Sequence, residues 1–180
     1  MVSPQALSEA DRRIVAAWAA DCAERVLPLF EAEAPDDDRA RDAIARARAF
    51  SRGELGAAEE IRRRFVAGRA AASAQTPAGV AAARAAAQAS GVAHMGAHAL
   101  GAAAYAAKAA GLAAADRAGA ADSAAIDAEI AWQLARLSPE AHAALRTLPR
   151  LGEDSSGPLG PGLLASGVLG DVIRRVQAAL

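Results

Sequence analysis

The chain predicts an all-α fold, and three observations support that prediction. Apolar residues recur three and four positions apart in several windows, and no stretch alternates with period two over a useful length. Hydrophobic residues fill 53 % of the 180 positions but aromatics only 3 %, so the apolar mass is mainly alanine, the strongest helix former. Start and stop signals cut the chain into helix-sized pieces: Ser8, Thr76-Pro77 and Ser138-Pro139 as starts, Pro35 and Gly53 as stops. The expected architecture is a single-domain multi-helix bundle or a short α-solenoid-like stack with no sheet, and no clean repeat period is present. Such a core needs close helix–helix contact, because each alanine buries little area.

The first helix begins at Ser8, with Asp11 in its first turn, and runs to about Ala34. Ile14, Val15, Trp18, Cys22, Val26, Leu29 and Phe30 make its apolar face, and Pro28 should kink or interrupt it. Asp36, Asp37 and Asp38 open a second helix, roughly 37–52, where acids suit the positive end of the dipole. A third, about 55–75, carries Ile61, Phe65 and Val66 with Arg62, Arg63 and Arg64 between them. A fourth runs from Thr76-Pro77 to Ser90-Gly91. The alanine-rich run from Val92 to Ala114 reads as one central helix. A helix at about 121–137 follows, carrying Ile126, Ile130, Trp132 and Leu134, and a short one runs from Ser138 to Leu148. Gly152 to Gly162, GEDSSGPLGPG, has the composition of a mobile linker. Leu163 to Leu180 is an amphipathic helix with Val168, Leu169, Val172, Ile173 and Val176 on its apolar side. The expected division is thus a helical domain over 1–151, a linker over 152–162 and a C-terminal helix over 163–180.

On a helical wheel His94, His98, Gly101, Tyr105, Lys108 and Leu112 share one narrow stripe of the central helix. His94 and His98, at i and i+4, have the spacing that lets two imidazoles meet one metal ion. A third ligand would have to come from Asp21, Glu24 or His142, and the glutamate of a zincin-type base is absent. The favoured reading is a pair of hydrogen-bonded histidines, so no cofactor is expected. Cys22, on an apolar helix face, reads as core rather than as a nucleophile. No glycine-rich phosphate loop and no paired-carboxylate constellation is legible, which leaves no catalytic residue to name.

A formal net charge of −1 gives no reason to expect direct nucleic-acid binding. The charge is polarised, however. From Asp21 to Asp38 there are seven acids against one base; from Arg39 to Arg69 there are nine arginines against four acids. Either the two helix faces complement each other, or the acidic lobe meets a basic partner. Cys22, the single cysteine, precludes an internal disulfide and suits a reducing cytosol. The N-terminal residues lack a signal-peptide pattern, and no window of about 20 residues is apolar enough to span a membrane. A cytoplasmic location is expected.

Three segments carry a family resemblance: residues 11–54, with WAADCAERVLPLFE and PDDDR; residues 93–110, with HMGAHALGAAAY; and EIAWQLARL at 129–137. Together they resemble a bacterial all-helical family of immunity proteins, the immunity-five-like group, over most of residues 11–148. Some relatives carry names suggesting an exonuclease, which no motif here supports. The resemblance implies a helical domain that binds and neutralises a cognate protein toxin without catalysis, a basic nuclease domain being one such partner. The arginine-rich third helix and the tail after Gly152 depart from the family pattern. On this reading the partner-binding candidates are Asp21, Asp36, Asp37 and Asp38 from the acidic lobe, with His94, His98 and Tyr105 from the stripe. Two other readings stand beside it: a metal-binding helical protein or metal-dependent hydrolase centred on His94 and His98, and a helical scaffold or homodimer in which Leu163 to Leu180 packs on another copy.

Overall fold

The computed structural model describes residues 3–63, 66–115 and 121–180. The described residues form α-helices and two short 3-10 turns, without a strand. Helix α1 spans Glu9–Glu31, and the Ser8 hydroxyl accepts from the Asp11 amide at 3.1 Å as its cap. Pro28 does not interrupt α1. It sits in the last turn, where only a few residues remain to be disturbed, and α1 ends at Glu31 rather than near Ala34. Helix α2 is Arg39–Ser51, closed by Gly53 at φ +79°. Where a third helix over 55–75 is expected, the described residues form α3 (Ala57–Arg63), α4 (Val66–Ala70) and a 3-10 turn at Ala71–Ser73. Arg64 and Phe65 lie outside the described residues.

Helix α5, Pro77–Gly91, starts where the Thr76 hydroxyl accepts from the Gly79 amide at 3.1 Å. The expected single helix from Val92 to Ala114 is not what forms. Residues 92–97 are a series of turns, and α6 is His98–Ala114. The break has a tertiary cause. The Gly96 amide donates to the Ala6 carbonyl at 3.0 Å and the Ala97 amide to the Gln5 carbonyl at 3.1 Å, so the N-terminal segment captures donors a continuous helix would use. A Cβ on Gly96 would lie 2.4 Å from Leu7 Cδ1, so glycine lets that segment approach.

Helix α7 is Ser123–Ala135, capped by the Asp122 carboxylate on the Ala125 amide at 2.7 Å; α8 is Pro139–Arg146, capped by Ser138; α9 is Gly167–Ala179, preceded by a 3-10 turn at Leu163–Ala165. Helices α5 and α6 form the centre, with α1 across both, α2 against α1 and α5, and α7 and α9 on α6. Consecutive Ala102, Ala103 and Ala104 are all fully buried, which places α6 inside on every side. Small side chains on α5 and α6 let the backbones come close and recover by proximity what each alanine lacks in area.

The stretch 152–162 is tied down by one residue. The buried Gln5 side chain donates from Nε2 to Asp154 Oδ2 and to the Ser156 carbonyl, both at 2.7 Å, and its Oε1 accepts from the Leu159 amide at 2.9 Å. Leu159 is fully buried, and Gly157 at φ +77° brings the backbone against Gln5. On α9, Leu169, Val172, Ile173 and Val176 are buried within this chain.

Candidate functional site

The expected site residues fall in three separate places. Asp36, Asp37 and Asp38 form the turn between α1 and α2. Asp37 is spent on Arg39, whose Nε donates to Oδ1 at 2.7 Å and whose Nη2 donates to Oδ2 at 2.5 Å; that pair holds the Asp37 carboxyl far below the usual carboxylate range. Asp36 and Asp38 are exposed. Much of the remaining acid of the lobe is also matched internally: Glu31 with Arg41 at 2.5 Å, and Asp21 and Glu24 with Arg48. Glu33 closes the start of α5, accepting from the Thr76 hydroxyl and from the Gln75 and Thr76 amides, and these bonds lower its pKa.

The second place holds the histidines and Tyr105. The break before α6 puts His94 on the turn and His98 at the first helical position, so they do not share one helix face. Their ring centroids lie 6.5 Å apart, tilted by 38°. His98 Nδ1 is 2.7 Å from Gln88 Oε1, an atom that only accepts, so Nδ1 carries the hydrogen and Nε2 keeps its lone pair. Burial, and secondarily His94, push the His98 imidazole down to about 4. No three His, Cys, Asp or Glu side chains among the described residues come together as a ligand set, so the third ligand expected from Asp21, Glu24 or His142 is not brought to this pair. Tyr105 is only 3 % exposed, with the Arg84 guanidinium 5.9 Å from its ring centroid. Cys22 is fully buried, and burial above all, then Glu129 and Asp21, push its thiol well up, the opposite of what a nucleophile needs.

The third place contains Asp21 and was otherwise missed. Asp21, Glu24 and Arg25 of α1, Arg48 of α2, and Trp132 and Arg136 of α7 line a groove of about 340 Å³. The Arg25 guanidinium stacks 4.4 Å from the Trp132 ring centroid, and its Nε donates to Glu129 Oε2 at 2.6 Å. Arg136 lies on the same ring at 5.5 Å. Among the described residues Arg136 has no carboxylate partner, while Arg48 is held by Asp21 and Glu24. The wall beneath is rigid: the Trp18 indole donates to the Gln133 carbonyl at 2.8 Å, and Gln133 Nε2 donates to the Ala103 carbonyl at 3.1 Å. The visible signals were two i, i+4 pairs, Asp21 with Arg25 and Trp132 with Arg136. Nothing in the sequence says that α1 and α7 are neighbours.

Residues 5–140 match the family described as Imm-5 like putative immunity protein. The chain belongs to this family. The matched stretch contains every residue of the Trp132 groove, whereas the 152–162 segment and α9 lie beyond it. No curated protein and no solved structure matches the chain. No helix among the described residues is long and apolar enough to cross a membrane.

Proposed function

We propose that the chain is a non-enzymatic immunity protein that binds a cognate protein toxin in the cytoplasm and neutralises it by occlusion. Family membership supports the general role. The observation that carries the site is the Trp132 groove. A half-buried tryptophan between two guanidiniums, on a wall fixed by buried hydrogen bonds, is the composition of an interface hot spot: Trp and Arg are the residue types most enriched there. Arg136, stacked but unpaired, is set to take a carboxylate from the partner. Exposed Asp36 and Asp38, on the turn between α1 and α2, would draw in a basic toxin domain, such as a nuclease. In this reading Asp21 acts by positioning Arg48, and His94, His98 and Tyr105 belong to a separate groove.

The test is co-expression with a cognate toxin recovered by pull-down on this chain, together with binding measured on purified proteins. Wild type is expected to protect cells and to form a stoichiometric complex. Trp132→Ala and Arg136→Glu are each expected to weaken capture by roughly thirty- to a hundredfold at unchanged melting temperature, the range of hot-spot losses of about 2 kcal/mol or more. Full-strength capture by both variants would move the interface elsewhere. Failure of the wild type to bind or protect would overturn the role.

A further inference from the structure

The second groove has a chemistry of its own. Gln88, His94, Met95, His98, Leu163 and Leu164 are among the residues that surround a cavity of about 410 Å³, roofed by the segment that Gln5 ties down. A second cavity, of about 250 Å³, adjoins it through Tyr105, which lines both. The two ends differ. The first is apolar: Met95, Leu164 and Pro158 line it, Leu163 stands 63 % exposed at its edge, and His98 is neutral at neutral pH. The second carries Arg84 of α5 and Lys108 of α6, and neither has a carboxylate partner among the described residues. Glu33, whose partners Gln75 and Thr76 line that end, is already engaged by the Gln75 and Thr76 amides and the Thr76 hydroxyl. In the wall of the first cavity Gln88 gives its Oε1 to His98, which leaves its amide hydrogens uncommitted among the described residues.

An open, largely apolar groove that shares Tyr105 with a pocket carrying two cations fits a molecule with an apolar body and an anionic head. Gly101 lets Gln88 and Leu164, both in the groove wall, pack against α6, because a Cβ there would lie 2.4 Å from Gln88 Oε1 and 3.1 Å from Leu164 Cδ1. Leu163, Leu164 and Pro158 lie outside the family-matched residues, whereas Arg84, Lys108 and the histidines lie within them, so part of the apolar wall is added by the chain beyond the shared domain. We infer that the α5–α6 groove is a binding site for a small amphipathic carboxylate: its acyl chain lies among Met95, Leu163 and Leu164, and its carboxylate lies between Arg84 and Lys108. The site is independent of toxin capture.

The probe is decanoate, titrated by calorimetry into the purified full chain, with decan-1-ol as the uncharged control. Saturable one-to-one binding is expected, at least tenfold tighter for decanoate than for the alcohol. Arg84→Ala with Lys108→Ala, two residues outside the core, should erase that preference, whereas Leu163→Ala should weaken both ligands. Trp132→Ala should bind decanoate as wild type does, which separates this site from the toxin interface. No saturable binding, equal binding of acid and alcohol, or an undiminished preference in the Arg84/Lys108 double variant would each overturn the assignment.

Discussion

His98 shows how one side chain changes meaning once its surroundings are known. On the wheel it pairs with His94 as a potential ligand; in the fold it opens α6, donates to Gln88 and is largely shielded from water. The consequence for stability has a definite sign. The folded imidazole titrates at about 4, against roughly 6.5 when unfolded, so between those values the unfolded chain binds a proton that the folded chain refuses. Its burial therefore costs nothing above about pH 6.5, and stability falls progressively as pH drops toward 4, by up to about 3 kcal/mol. Melting temperatures measured across that range should show the slope in wild type and a much flatter one in His98→Asn. Parallel curves would mean the imidazole is solvated in solution. Trp132 is the opposite case. Its type and its spacing to Arg136 were legible, but its role came from Arg25, which is 107 positions away in sequence and stacks on the same ring.

At the scale of elements, capping chemistry was the most readable layer. Ser8, Thr76 and Ser138 each accept from the amide three residues on, as their side chains and the prolines after two of them foretold. The interior boundaries were less readable. Alanine propensity favours an unbroken helix through Val92 to Ala97, yet hydrogen bonds from Gly96 and Ala97 to the Ala6 and Gln5 carbonyls outweigh it, since propensity differences amount to only tenths of a kcal/mol per residue. Gln5 is the hinge of both surprises, because it also ties down Asp154, Ser156 and Leu159. Gln5→Ala should cost about 2 kcal/mol, the size expected when buried groups lose their partners. Hydrogen exchange should quicken first at residues 154–162 while α5 and α6 stay protected; uniform acceleration would show that the strap and the core open together.

For the molecule as a whole, the polarised charge of the first half is largely settled inside the chain: Arg48 takes Asp21 and Glu24, Arg41 takes Glu31, and Arg46 takes the buried Glu60. That matches the reading of complementary helix faces and leaves Asp36 and Asp38 as the part of the lobe open to a partner. Toxin association should accordingly slow by several-fold, rather than by orders of magnitude, between about 0.05 and 0.5 M salt, and Asp36→Asn with Asp38→Asn should remove most of that dependence. A salt-independent on-rate would exclude steering by these two acids.

By itself the sequence determined the helical class, most helix starts and the family, because these depend on local hydrogen bonding, residue spacing and contiguous motifs. Only the tertiary structure decided which helices touch. It split the central alanine run, buried Tyr105, separated the acidic turn from the histidines and assembled the Trp132 groove from three helices. The physical reason lies in the alanines. Nearly uniform small side chains make good helices but leave few shape cues about pairing, so neighbours are chosen by a few long-range polar contacts such as those of Gln5, Trp18 and Arg25.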